Sequence, residues 1–138
     1  MLVISNNVDV TSRLGMRALR WAIVFLALGP GLFMTFDGSR ALIVGDYLTP
    51  KTGRFAGQLG PWSDVVRAVG IAPRSLLMKV IFLLFGVAWL AAAAAFQRRR
   101  PGSARVLAVL AVLTLWYLPI GTLTSALVLV GLSRSRSL

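Results

Sequence analysis

The chain has 138 residues, of which 57% are hydrophobic and 14% are charged, and its mean hydropathy is +0.80. A water-soluble domain of this size needs more polar surface, so the composition indicates an integral membrane protein. Cysteine and histidine are absent, which excludes disulfides, thiol nucleophiles and most metal sites. The acidic residues are Asp9, Asp37, Asp46 and Asp64. We therefore predict a protein that is not an enzyme and holds no metal or cofactor.

The formal net charge is +11, and arginines that contribute to it flank the hydrophobic runs. This placement is typical of topology determinants beside anionic lipid headgroups and does not indicate a nucleic-acid-binding domain. The arginines assigned to this role are Arg13, Arg17, Arg20, Arg98, Arg99, Arg100 and Arg105.

The first uncharged run extends from Trp21 to Phe36, and we predict helix 1 over about residues 13–36 as a retained anchor, not a cleaved signal peptide. Thr11 or Ser12 can cap its start. The Gly-Pro-Gly sequence at 29–31 predicts a kink or an early end.

Residues 37–74 form the predicted outer loop. Its first part, residues 40–49, has the composition of a short β-strand, and residues 61–69 have the pattern of a short amphipathic helix. Trp62 lets that helix lie on the membrane surface or cap the bundle. A cluster of charges is a candidate site in this loop: Asp37, Arg40, Asp46, Asp64 and Arg67. We favour the interpretation that these charged residues form salt bridges that fold the loop. The alternative is that they line a polar pocket at the outer mouth of the bundle.

Helix 2 is predicted over about residues 75–97, with Ser75 at its start and the basic connector 98–105 after its end. Lys79 lies near its start and is expected to snorkel to the interface. Residues 91–95 are all alanine and form, with Gly86, a smooth face for helix packing.

The last uncharged run, residues 106–133, is too long for one straight crossing, because 28 helical residues span about 42 Å against a hydrocarbon core of about 30 Å. We predict a hairpin of helix 3 at about 106–117 and helix 4 at about 119–133, with one kinked helix as the alternative. The turn residues are Trp116, Tyr117, Pro119 and Gly121.

The hairpin also fits the distribution of basic residues. It places nine Lys and Arg on the side of both termini and six on the other, whereas a single crossing gives seven against eight. By the positive-inside rule, both termini are cytoplasmic. The predicted fold is thus an all-α membrane protein with four transmembrane helices and a structured extracytoplasmic loop between helices 1 and 2.

The segment Leu-Trp-Tyr-Leu-Pro-Ile-Gly-Thr at residues 115–122, followed by an apolar helix, resembles the closing hairpin of small bacterial four-helix membrane proteins with a Pro-x-Gly-Thr turn. The resemblance covers about the last quarter of the chain. It implies four helices and the bacterial inner (cytoplasmic) membrane, and it implies no activity.

These observations favour a multi-pass protein that works by association, as an accessory or assembly subunit of a membrane complex or as a homo-oligomer. The expected partners are membrane lipids and other membrane subunits or further copies of the chain, and no nucleic acid is expected. The alternative is a small transporter or channel, or a lipid-binding membrane protein. A transporter needs a polar path, for which the last hairpin offers only hydroxyl groups.

Overall fold

The computed structural model describes residues 2–117 and 119–136, and this part of the chain forms five helices and no strand. The helices are α1 (Leu2–Val44), α2 (Trp62–Ala68), α3 (Leu76–Gln97), α4 (Ser103–Leu113) and α5 (Ile120–Arg136). Residues 6–44 of α1 and the whole of α3 are each long and apolar enough to cross a membrane, while α4 is a shorter apolar helix. The expectation of an all-helical fold is confirmed, and two helices are suited to span a bilayer.

Helix α1 is longer at both ends than the predicted segment 13–36. It continues through Pro30, so of the kink or early end predicted at residues 29–31 the early end is wrong, and residues 40–44 are helical where a β-like stretch was predicted. The last turns remain helical because Met34 and Ala41 are buried in a cluster with Met78 and Phe82 of α3. Burial against a neighbouring helix thus outweighs the local preference of this β-branched, glycine-flanked sequence.

Helices α1 and α3 form an antiparallel pair that is the most extensive packing in the bundle. Three glycines allow the two backbones to approach closely. A Cβ atom on Gly38 would lie 2.8 Å from the Leu83 nitrogen, and one on Gly86 would lie 2.8 Å from the Thr35 Cα atom. A Cβ atom on Gly31 would likewise be 2.8 Å from Leu90 Cδ2. The small-residue face predicted around Gly86 therefore packs inside the chain.

The uncharged run 106–133 contains two helices, as the hairpin interpretation predicts. Helix α4 packs against α3 and α5, and α5 packs against α1. Tyr117, between the two helices, lies against Phe82, whereas Gly131 near the end of α5 lies against Ile23. The chain therefore reverses direction between α4 and α5, and α5 returns to the end of the bundle where α3 stops.

The bundle has two chemically different ends. At the arginine end, Arg20 of α1 meets Phe96 of α3. At the aromatic end, Asp37 of α1 and the outer loop meet Phe82 and Tyr117. The rise of α1 between Arg20 and Asp37 is about 26 Å, close to the thickness of a hydrocarbon core.

Candidate functional sites at the two ends of the bundle

The aromatic end is built around Trp62, which lies in the first turn of α2 and is only 6% exposed. Its ring centroid is 4.8 Å from that of Phe82 on α3, 5.5 Å from Tyr47 and 6.2 Å from both Trp116 and Tyr117. Edge-to-face and tilted contacts of this kind add stability beyond the area buried. Helix α2 was predicted either to lie on the membrane surface or to cap the bundle, and the burial of Trp62 among these rings fits the cap.

Hydrogen bonds from charged side chains hold the outer loop onto the helix ends. The Asp37 carboxylate, 3% exposed, accepts a bond from the Leu48 N–H at 2.7 Å. Arg40 donates to the Asp46 carbonyl oxygen at 2.8 Å, and Lys79 Nζ donates to the Gly45 carbonyl oxygen at 2.6 Å. Asp37, Arg40 and Asp46 thus lie at the same end of the bundle, but Asp37 and Arg40 bond to backbone atoms of the loop and not through the predicted salt bridges.

The other two members of the predicted cluster lie apart. Asp64 and Arg67 pair with each other at 3.2 Å on the exposed side of α2, where such a pair contributes little. Sequence reasoning missed Arg74, whose Nε donates to Asp46 Oδ1 at 2.9 Å and whose second terminal nitrogen donates to the Gly57 carbonyl oxygen at 2.9 Å. Because Asp46 and Arg74 are distant in sequence, no local pattern marks their pairing.

These contacts change the acid–base behaviour of the loop. Burial acts to raise the pKa of Asp46, but the Arg74 hydrogen bond and charge, the Tyr47 N–H and the Lys79 charge outweigh it and lower that pKa. Burial and the nearby carboxylates of Asp37 and Asp46 raise the pKa of Tyr47. Charged groups here already bond to loop atoms, so the geometry fits the predicted loop-folding role.

The hairpin turn residues join the same end. Trp116 and Tyr117 belong to the aromatic cluster, and Pro119 is exposed. Gly121 packs under Tyr117, where a Cβ atom would lie 2.6 Å from the Tyr117 Cβ atom. The Thr122 hydroxyl donates to the Leu115 carbonyl oxygen at 2.7 Å and closes the turn. Residue 118 of the predicted turn segment lies outside the described residues.

The arginine end contains an open groove between the N-terminal part of α1 and the end of α3. Its cavity of about 560 Å³ is lined by Val10, Arg13, Leu14, Met16, Arg17, Arg20 and Arg99. We call this the arginine groove. The remaining predicted headgroup residues lie outside it: Arg98 is exposed, and Arg100 and Arg105 border two other surface cavities.

Two residues of the arginine groove are held in place by the end of α3. Arg20 donates to the Phe96 carbonyl oxygen at 2.8 Å, and its guanidinium carbon lies 5.1 Å from the centre of the Phe96 ring. Arg99 has a positive φ of 56° and follows the last turn of α3, where its N–H bonds to the Phe96 carbonyl oxygen at 3.0 Å. This is the left-handed position after a helix that glycine usually occupies.

The chain matches no protein-family model, no curated protein and no solved structure. The resemblance of residues 115–122 to a bacterial hairpin therefore stays a prediction. In residues 2–117 and 119–136, no group of three or more acidic, histidine or cysteine side chains is placed to hold a metal ion.

Proposed function

We propose that this chain is a non-enzymatic, multi-pass protein of the bacterial inner membrane that works as an accessory or assembly subunit of a larger complex or as a homo-oligomer. In the proposed topology α1, α3, α4 and α5 cross the bilayer, the aromatic end is extracytoplasmic, and both termini are cytoplasmic. The antiparallel α1–α3 pair and the rise of about 26 Å between Arg20 and Asp37 support this arrangement. The excess of arginine at the arginine end supports its orientation.

The observation that carries the association is the N-terminal part of α1, which projects beyond the arginine end. Residues 2–19 would rise about 27 Å along the helix axis, and side chains from residue 6 to residue 18 are exposed. Large apolar side chains are among them, with Val8 64% and Leu14 59% exposed. An isolated helix of this length is only marginally stable in water. Packing against another protein would stabilise the helix and bury its apolar side chains.

The length of α4 points the same way. Its 11 residues rise about 17 Å, well short of a hydrocarbon core of about 30 Å. A short helix is accommodated more easily beside a protein neighbour than in lipid. By contrast, Gly31, Gly38 and Gly86 pack within the chain, so the proposed contact with a partner does not rest on them.

The test is extraction of the full chain at native expression in nanodiscs, followed by mass spectrometry of everything that remains bound. A stoichiometric protein companion, or a stable multiple of the chain, is the expected result. The variant Val8→Lys should weaken that association, whereas Asn6→Lys adds the same charge to a polar exposed position and should leave it intact. A lone monomer that carries no companion chain would contradict the proposal.

A further inference from the structure

The arginine groove concentrates positive charge, and the acidic residue nearest to it in sequence is Asp9, one turn before Arg13 on α1. The groove brings together four guanidinium groups, and none of its lining residues is acidic. Ion pairs of the described residues join Arg67 to Asp64 and Arg74 to Asp46, both far from the groove. Arg20 and Arg99 are close enough to repel each other electrostatically. Grouped cations of this kind attract phosphate groups.

The groove is also pre-arranged at a cost to the fold. A non-glycine residue is disfavoured in the left-handed region, yet Arg99 occupies this region with a φ of 56°. Arg20 is held by the Phe96 carbonyl oxygen and ring, so it needs little further ordering to bind a ligand. This backbone conformation places the Arg99 guanidinium group at the wall of the groove.

The charge is distributed along the helix and accompanied by apolar surface. Arg13 and Arg20 are separated by a rise of about 10 Å on α1, and Val10, Leu14 and Met16 form the remaining wall. Arg20 directly precedes the uncharged run that begins at Trp21. A ligand with phosphate groups and an apolar part at the membrane surface satisfies both features.

We propose that the arginine groove binds the phosphate groups of anionic phospholipids, with Arg20 as the contact held by α3 and Arg13, Arg17 and Arg99 as exposed contacts. The inference rests on the topology proposed above, because the groove must face lipid headgroups, but it does not require a protein partner. Arg98 and Arg105 act only through their general charge.

The test is native mass spectrometry of the purified full chain in mild detergent, titrated separately with phosphatidylglycerol, phosphatidylcholine and inorganic pyrophosphate. We expect phosphatidylglycerol to bind at least tenfold more tightly than phosphatidylcholine. The double variant Arg13→Gln/Arg17→Gln should weaken phosphatidylglycerol binding by at least about tenfold, because it removes direct charge-assisted hydrogen bonds to the phosphate. The matched control Arg98→Gln/Arg105→Gln removes the same charge from the same end and should change binding less than threefold.

A second variant separates binding from folding. Arg99→Gly removes a guanidinium from the groove but places glycine where the backbone prefers it, so thermal stability should be kept or raised while phosphatidylglycerol binding falls. Equal losses of affinity in the two double variants would mean non-specific attraction and would overturn the assignment. If pyrophosphate binds as tightly as the lipid, the assignment of a phospholipid ligand is wrong and the groove binds a soluble phosphate compound.

The proposed topology is tested apart from the groove by flotation with phosphatidylcholine vesicles. A chain that does not float refutes membrane insertion itself. A chain that floats but does not distinguish phosphatidylglycerol from phosphatidylcholine refutes only the lipid site.

Discussion

Replacement of Gly86 by alanine tests whether close contact between α1 and α3 holds the bundle together. A Cβ atom at position 86 would lie 2.8 Å from the Thr35 Cα atom and still closer to the Thr35 backbone nitrogen. These are backbone atoms, so no side-chain rotation can make room, and the two helices must move apart. Overpacking of this kind typically costs about 1–3 kcal/mol.

Gly15 provides the control, because it lies inside α1 and a Cβ atom there has nothing within 4 Å. Both substitutions gain the helix preference of alanine over glycine, about 1 kcal/mol. This gain cancels when Gly86→Ala is compared with Gly15→Ala, so their difference isolates the overpacking cost. We expect Gly86→Ala to be less stable than Gly15→Ala by about 1–3 kcal/mol.

The assay is equilibrium unfolding in mixed micelles with increasing denaturing detergent, followed by far-ultraviolet circular dichroism. Trp89 is fully buried one turn after Gly86, so its fluorescence reports the same interface. If the two alanine variants unfold at the same detergent fraction, the close approach at Gly86 does not contribute to stability and the reasoning is refuted.

Three further predictions concern the two ends of the bundle. Trp62→Ala should destabilise the chain by about 3–5 kcal/mol and, by loosening the outer loop, raise the rate of cleavage at the already exposed Arg54, which limited proteolysis measures; an unchanged rate would contradict the docking role of the ring. Because the pKa of Asp46 is lowered in the fold, the ionised carboxylate stabilises the chain above about pH 4, and this stabilisation is lost as pH falls through the folded pKa. In thermal melts, the melting temperature of the wild type should therefore fall with acidification more than that of Asp46→Asn. Arg99→Gly should raise the free energy of unfolding by about 1 kcal/mol, and a clear decrease would show that the side chain stabilises the fold.

Local sequence signals predict the start and end of several helices. Ser75 precedes α3 and its hydroxyl accepts a bond from the Met78 N–H at 3.3 Å, which is the expected capping contact. The short helix predicted over 61–69 appears as α2, and the basic connector follows the end of α3 at Gln97. These features depend on residues within one or two turns, so the sequence contains the information they need.

The last turns of α1 and the polar contacts of the loop could not be predicted in the same way. Residues 40–44 have strand-like composition, and they are helical because Ala41 packs against α3. Lys79 reaches the Gly45 carbonyl oxygen only because α1 and α3 run antiparallel and bring their ends together. Both features depend on contacts between segments far apart in the sequence, which composition and periodicity do not encode.

The contrast between the two ends bears on where a partner or ligand would bind. At the aromatic end, Trp62 fills the space between the loop and the helices, and Asp37, Arg40 and Arg74 bond to loop atoms. Binding there would have to break contacts that fold the loop. At the arginine end, the groove is open and the side chains of residues 6 to 18 of α1 are exposed. A ligand or partner at this end adds interactions without breaking any, which is why both proposals place recognition there.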